Sequence, residues 1–385
     1  MRTCRIGVNG RNASMWQEAD YQAVGAAKLE AVKLMGFTDP TVAHRLVESF
    51  SGIELLVRLY ASMPTGDAIS AARFVEHVSL QVSNFEAVAT KFEIHNEPNH
   101  PSGVEGWGQE DEHARAFNDW FLEVYARLKT AFPWAQFGFP GLAIPHRDLE
   151  WLDICRPAIE RADWLGCHCY WQNPTWVEGN HLSDFWGLRF LHYHGKYPGK
   201  IIEITEFGNS NGQSGYPTSE GIIAGEYVAY YQELFKYPYL GSASAFILSA
   251  PQKEWRDFCW RAEKGKMKAV VGAVGAIHRP ALEEPSVEPE PTPDPEPEPE
   301  PEPTPDPSPP TPEPEPEPIE GAPLPPPGSP HDWIKMPDSG HFVNLAPASL
   351  YVEGKGLDLP AHVVLAMTDR DWKYIEASLN IRVKR

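Results

Sequence analysis

Between residues 5 and 280, short apolar runs of strand character alternate with amphipathic helical stretches, and the alternation repeats eight times. The strand runs fall at 5–9, 31–36, 53–60, 92–95, 136–139, 163–170, 201–205 and 244–249. Helical spacing fills the intervals. In 69–82 it gathers Ala72, Val75, Val78 and Val82 on one face, and in 111–130 it gathers Phe117, Phe121, Val124, Tyr125 and Leu128. Further helices are expected at 18–29, 41–49, 149–159 and 185–193, at 220–235 behind a Thr218-Ser219 cap, and beginning at 255–262. A helix after every strand forces parallel pairing. Eight such units in roughly 280 residues predict an α/β fold, the (β/α)8 TIM barrel. No glycine-rich phosphate fingerprint follows any of the strands, so nothing favours a doubly wound open sheet.

Two of these strands end on acids. In Lys91-Phe92-Glu93-Ile94-His95-Asn96-Glu97-Pro98-Asn99 the strand must stop near Asn96, because Pro98 has no N–H to donate to a ladder. In Lys200-Ile201-Ile202-Glu203-Ile204-Thr205-Glu206-Phe207-Gly208 the apolar run gives out at Thr205 and Glu206, with Gly208 opening the loop. The carboxyl ends of barrel strands are where this architecture places its chemistry. Glu97 and Glu206 therefore face a common mouth.

Composition divides the chain into three: a barrel over 1–282, a Pro/Glu-rich linker over 283–330 and a small module over 331–385. The linker holds 14 Asp or Glu and no Lys or Arg, and removing those 14 from the net charge of −20 leaves −6 for the rest. Alternating prolines with like charges favour extended polyproline II, so the segment is expected to be a stiff, disordered spacer. The terminal module regains apolar residues such as Trp333, Phe342, Leu350 and Trp372, and is expected to be β-rich. The folded parts are mildly acidic, so nucleic acid, whose binding depends on clustered basic charge, is not expected as a partner. The start of the chain has no basic and apolar leader, and no apolar run is long enough to span a membrane. A soluble protein without a classical export signal is expected. The five cysteines, an odd number, read as buried thiols and not as a disulfide framework.

Paired carboxylates across a pocket suit glycosidic bond cleavage, one as general acid and the other as nucleophile when they stand about 5 Å apart. The strand-end motifs resemble glycoside hydrolase clan A, the barrel enzymes that include families 5 and 39. Asn96-Glu97-Pro98 matches the fourth strand of that clan, Glu206 the seventh, and His168-Cys169-Tyr170 the sixth, over residues 1–280. The resemblance implies Glu97 as acid/base, Glu206 as nucleophile, Asn96 on the sugar 2-hydroxyl and Tyr170 donating to the nucleophile. A phenol beside Glu206 would in any case keep that carboxylate ionised and oriented. The sequence departs from the pattern at His95, where Trp or Gly is usual. It has no arginine after the second strand (Val32-Lys33-Leu34-Met35), for which Arg58 is the expected substitute, and no eighth-strand tryptophan, since Trp255 comes late.

Simpler roles compete at each position. Glu97 could cap a helix, Tyr170 could fill the barrel, and His168 could be a satisfied core histidine. Glu203 is set aside as an alternative to Glu206 because it lies toward the amino end with opposite side-chain parity. Cys167-His168-Cys169 invites a zinc reading, but strand alternation turns the two thiols away from the imidazole, so no metal is expected. Trp171, Trp176 and Trp186 after the sixth strand, and Trp107 after Glu97, are candidate sugar-stacking platforms or helix packing. The expected function is a retaining glycosidase on a β-linked oligosaccharide or polysaccharide, with no cofactor. The alternatives are a non-catalytic glycan-attachment protein and a phage-borne enzyme anchored to a cell wall by its terminal module.

Overall fold

A computed structural model of the protein describes residues 1–61, 69–101, 107–173, 179–215, 218–262 and 264–286, with the backbone of four short strands beyond them. Eight parallel strands pair in sequence order and close on themselves: β1 Arg5–Asn9, β2 Ala31–Met35, β3 Glu54–Leu59, β4 Lys91–Ile94, β5 Gln136–Phe139, β6 Trp164–Trp171, β7 Ile202–Asn209 and β8 Leu240–Ala245. Ile6↔Ala243 and Gly7↔Ser244 of β1 and β8 form the closing ladder. The helices between them are α1 Glu18–Ala27, α2 Pro40–Ser49, α3 Ala71–Phe85, α4 Asp111–Ala131, α5 Asp148–Ile154, α6 Arg156–Arg161, α7 Phe190–Lys196, α8 Glu220–Leu234 and α9 Ala269–Gly275. The predicted barrel is what the chain forms.

Local sequence accounts for several of these boundaries. Asp39 accepts from Thr41 N–H at 2.9 Å with Pro40 in the first turn of α2. Ser219 accepts from Ile222 N–H at 3.4 Å, the cap expected for α8. The helix expected over 149–159 is instead two helices, divided at Cys155 with Pro157 in the first turn of α6. That helix start suits proline, because its missing N–H would have no partner there. The helix expected at 185–193 begins only at Phe190, after turns.

The eighth unit departs most from expectation. β8 lies four residues earlier than 244–249 and is built from Leu240-Gly241-Ser242-Ala243-Ser244-Ala245. Small residues have little intrinsic strand preference, but a Cβ at Gly241 would stand 2.2 Å from Glu203 Oε1, so the interior there requires them. Residues 255–262 are not a helix either. A 3-10 turn, Lys253–Trp255, and further turns lead to Trp260 and Arg261, whose N–H groups donate to Ile247 C=O and Leu248 C=O, each at 2.9 Å.

The barrel interior is charged as well as apolar. At the amino end Lys91 pairs with Glu203 at 2.6 Å and with Glu54 at 3.0 Å, and Ser242 donates to Glu203 at 2.7 Å. One layer up, Lys33 pairs with Glu93 at 2.7 Å. Buried charges persist only when paired in this way. Outside the strands, Phe117, Trp120 and Phe121 of α4 and Tyr227, Tyr230 and Tyr231 of α8 form the apolar shell. All five cysteines are buried free thiols, as expected.

Among the described residues, no helix is long and apolar enough to cross a membrane. The second compact unit, Pro297–Arg385, contains two antiparallel pairs: Trp333–Lys335 with Phe342–Asn344, and Tyr351–Glu353 with Gly356–Asp358. The linker expected over 283–330 lies outside the described residues after Ser286.

Candidate active site

Beyond Ile94 the chain turns through His95 and Glu97, whose φ values are +75° and +38°. Side-chain-bearing residues adopt such angles rarely, and this turn is held by Glu97 N–H donating to Gly141 C=O at 3.0 Å. Asn96 is buried, and the Glu97 side chain keeps 20% of its surface exposed at the mouth. The His95 ring packs edge-on against Phe117 and Trp120 of α4, in the apolar shell.

β6 alternates as its sequence demands. Cys167 and Cys169 share one face, with sulfurs 3.7 Å apart, while His168 and Tyr170 point into the barrel. His168 Nδ1 and Glu97 Oε1 form a hydrogen bond of 2.8 Å, and the Tyr170 hydroxyl donates to Glu206 Oε2 at 2.7 Å.

Glu206 lies inside β7, which runs four residues past the expected end at 205. The pairs Cys167↔Ile204 and His168↔Glu206 leave Thr205 unmatched, a β-bulge. The extra residue resets the alternation, so Glu203, Thr205 and Glu206 all reach the interior. Parity is therefore not what separates Glu203 from Glu206. Glu203 is set apart by depth: it is fully buried at the amino end, held by Lys91 and Ser242.

Lys33 Nζ donates to Glu206 Oε1 at 3.3 Å. Burial alone would raise the Glu206 carboxyl, but Lys33, His168 and Arg58, together with the Tyr170 hydrogen bond, overcome it and hold the group down at about 2. His168 is raised from its usual value: burial works against its charge, and the Glu206 charge and the Glu97 hydrogen bond outweigh that. Burial beside Glu206 pushes the Tyr170 phenol well up, which keeps it a donor.

Glu206 opens into a cleft of about 360 Å³ that is also lined by Asn9, Arg11, Lys33, Arg58 and Trp255. Arg58 of β3 and Lys33 of β2 thus line the same cleft. Trp255, late in sequence, lines the cleft because residues after the 3-10 turn fold back over the mouth, where its ring meets Phe246 at 5.3 Å. Arg11 is fastened by a hydrogen bond to Ser249 at 3.3 Å, and Ser249 in turn donates to Asp20 at 2.6 Å.

Two proposed platforms are corrected. Trp171 is fully buried on the outer face of β6, stacked on Phe207 and donating to Glu226 at 3.0 Å. The strand extends through residue 171, so this side chain keeps the parity of Cys167 and Cys169 and turns away from the mouth. Trp107 packs edge-on against Phe117 and Trp120 of α4 and does not line the cleft. Trp186 packs beside Phe185, and Trp176 lies outside the described residues.

Sequence reasoning missed Lys33, Glu93, Gly141 and Arg11. A signal for the first two was present: a lysine inside the apolar run of β2, and charge alternating with apolar residues in Lys91-Phe92-Glu93-Ile94. Glu97, His168 and Glu206 offer one ligand atom each within 4.8 Å of one another, a spacing that would also suit a metal ion. Both Glu206 oxygens are already engaged, one by the lysine ammonium and one by Tyr170, which opposes a second cation there.

No protein-family model and no curated protein matches the chain. Solved structures do. An endo-β-1,3-glucanase of glycoside hydrolase family 128 (subgroup II) from Sorangium cellulosum is 15% identical, with a TM-score of 0.53, covering 72% of this chain and 100% of its own. β-Glucuronidase 2 from Bacteroides uniformis is 11% identical, with a TM-score of 0.51, over 71% of this chain and 35% of its own. At these identities the likeness is one of fold: the chain has the (β/α)8 barrel of the glycosidases that its strand-end motifs resemble.

Proposed function

We propose that the protein is a retaining glycoside hydrolase acting on a β-linked glycan. One observation carries the reading: a carboxylate oxygen of Glu97 and one of Glu206 lie within 4.8 Å of each other. Retaining enzymes hold their carboxyl groups about 5–5.5 Å apart, whereas inverting ones leave room for water. Glu206, ionised and held by Lys33 and Tyr170, attacks the anomeric carbon as the bond to the leaving oxygen breaks. Glu97 donates its proton to that oxygen, with His168 fixing the carboxyl through its Nδ1. In the second step Glu97 takes a proton from water, whose oxygen displaces Glu206 and releases the sugar. In this reading Asn96 bonds the 2-hydroxyl, and Arg58 and Trp255, which line the cleft, contact the sugar. Glu206 is directed into the cleft, which favours this reading over a non-catalytic attachment role.

Trapping tests the reading. The protein is incubated with 2-deoxy-2-fluoro glycosides, including glucosides and glucuronides, the sugars acted on by the two similar structures, and then subjected to intact mass measurement and peptide mapping. A sugar adduct on Glu206 is expected, and Glu206→Ala should remove nearly all turnover while the fold persists. An adduct on another residue, or a Glu206→Ala protein with unchanged turnover, overturns the assignment.

A further inference from the structure

A second cavity lies apart from the carboxylates. It has a volume of about 810 Å³, and the loop after β8 lines both it and the cleft: Trp255 faces the cleft, while Lys253 and Arg256 line the cavity. Its floor is apolar, with Ile223 and Tyr227 from α8, Phe258 from the loop and Val270 from α9. Four exposed cations surround that floor: Lys253, Arg256, Lys264 and Lys266.

Among the described residues, no carboxylate pairs with these cations, although ion pairs are common elsewhere on the surface. Lys268 is engaged by the backbone instead, donating to the carbonyls of Arg256 at 2.7 Å and Asp257 at 3.1 Å and so fixing the loop that carries the rim. Arg261, at the base, is paired with buried Asp20 at 2.7 Å. Of the acids lining the cavity, Glu220 accepts from Ala269 N–H at 3.3 Å, and Asp257 stands against Gly212. Like charges around one cavity repel one another, and an anion between them relieves that repulsion. Loops after strands seven and eight are, moreover, where barrels often hold anionic groups.

We propose that this cavity binds an acidic stretch of a glycan, with carboxylate or phosphate groups along the chain, as a second site beside the cleft. The proposal rests on the reading of the cleft as a glycan site, because one chain passing Trp255 reaches both. The apolar floor takes the C–H faces of the sugar rings and the rim takes the oxyanions. The volume lies in the range of small-ligand sites.

The test measures binding, not cleavage. Full-length protein is titrated calorimetrically with polygalacturonate oligomers, with a polyol-phosphate polymer and with neutral β-1,3-glucan oligomers. The expected result is that one acidic probe binds at 50 mM salt and weakens steeply by 300 mM. The Lys264→Gln/Lys266→Gln and Lys253→Gln/Arg256→Gln proteins, with unchanged melting temperatures, should bind that probe roughly tenfold more weakly. Which acidic probe binds tells carboxylate from phosphate. Glu206→Ala protein should bind as the unsubstituted protein does, so loss of turnover alone bears on the cleft and not on this site. Acidic probes that bind no better than the neutral one, binding unchanged in both double variants, or capture by phosphatidylserine vesicles in place of either polymer would overturn the proposal.

Discussion

At the scale of single residues, the site depends on keeping Glu206 charged inside a protein. Burial opposes that charge, and three cations with one phenol reverse the balance until the carboxyl sits at about 2. In the proposed mechanism Glu206 is the nucleophile and must be ionised, so activity should fall as pH drops through its value. Tyr170→Phe keeps the ring against Phe246 and Phe258 and removes only the 2.7 Å hydrogen bond to Glu206. A hydrogen bond to a charged group contributes about 1.5–3 kcal/mol, so kcat/KM should fall roughly 10- to 100-fold. Losing that bond raises the Glu206 pKa. The acid limb of the pH profile should therefore move to higher pH in the variant, which kcat/KM measured from pH 2 to 8 would reveal. An unmoved limb would mean that the phenol orients the carboxylate without holding its charge.

At the scale of elements, one glycine carries the junction of three strands. Gly141 accepts from Glu97 N–H, donates to Glu93 at 3.2 Å and lies against His168. A Cβ there would stand 2.1 Å from the His168 ring and 2.8 Å from Thr205 Oγ1, atoms enclosed by the barrel. Gly141→Ala should cost about 1–3 kcal/mol of stability through overpacking. It should cost more in kcat than in KM, because the displaced ring is the partner of Glu97; chemical denaturation and steady-state kinetics check the two halves separately. Sequence legibility also differs by element. The alternation of β6 correctly turned Cys167 and Cys169 away from His168, and the same rule carried one residue further would have turned Trp171 away as well. The bulge at Thr205 was not readable, because it is fixed by pairing with β6 and leaves no mark in the run Ile202–Asn209. β8 was misplaced for a related reason: Gly241 answers to the bulk of Glu203 on the neighbouring strand β7, a tertiary demand that overrides propensity.

At the scale of the whole molecule, the question is where the barrel ends, and hydrogen bonds answer it more sharply than composition. The acid-rich stretch begins at Glu283, yet the chain is still bonded to the barrel there. Arg2 N–H donates to Ala281 C=O at 3.0 Å, Glu283 N–H to Arg2 C=O at 2.8 Å, and Ser286 N–H to Pro238 C=O at 2.9 Å. Arg279 adds bonds from its guanidinium to the carbonyls of Ala27 at 2.8 Å and Val274 at 3.1 Å. The last residues thus tie the segment before β1 to α1 and to the turn before β8. A chain ending at Ser286 should melt with the full-length protein and cleave a small glycoside at the same rate. One ending at Ile277 loses these bonds, each contributing on the order of 1 kcal/mol. At about 2–4 °C per kcal/mol in domains of 150–250 residues, and less in a larger barrel, its melting temperature should fall by roughly 10 °C. Calorimetry on the two truncations decides the matter. Equal melting temperatures would place the end of the fold before 278, and a deficit in the longer truncation would show that residues beyond 286 stabilise the barrel.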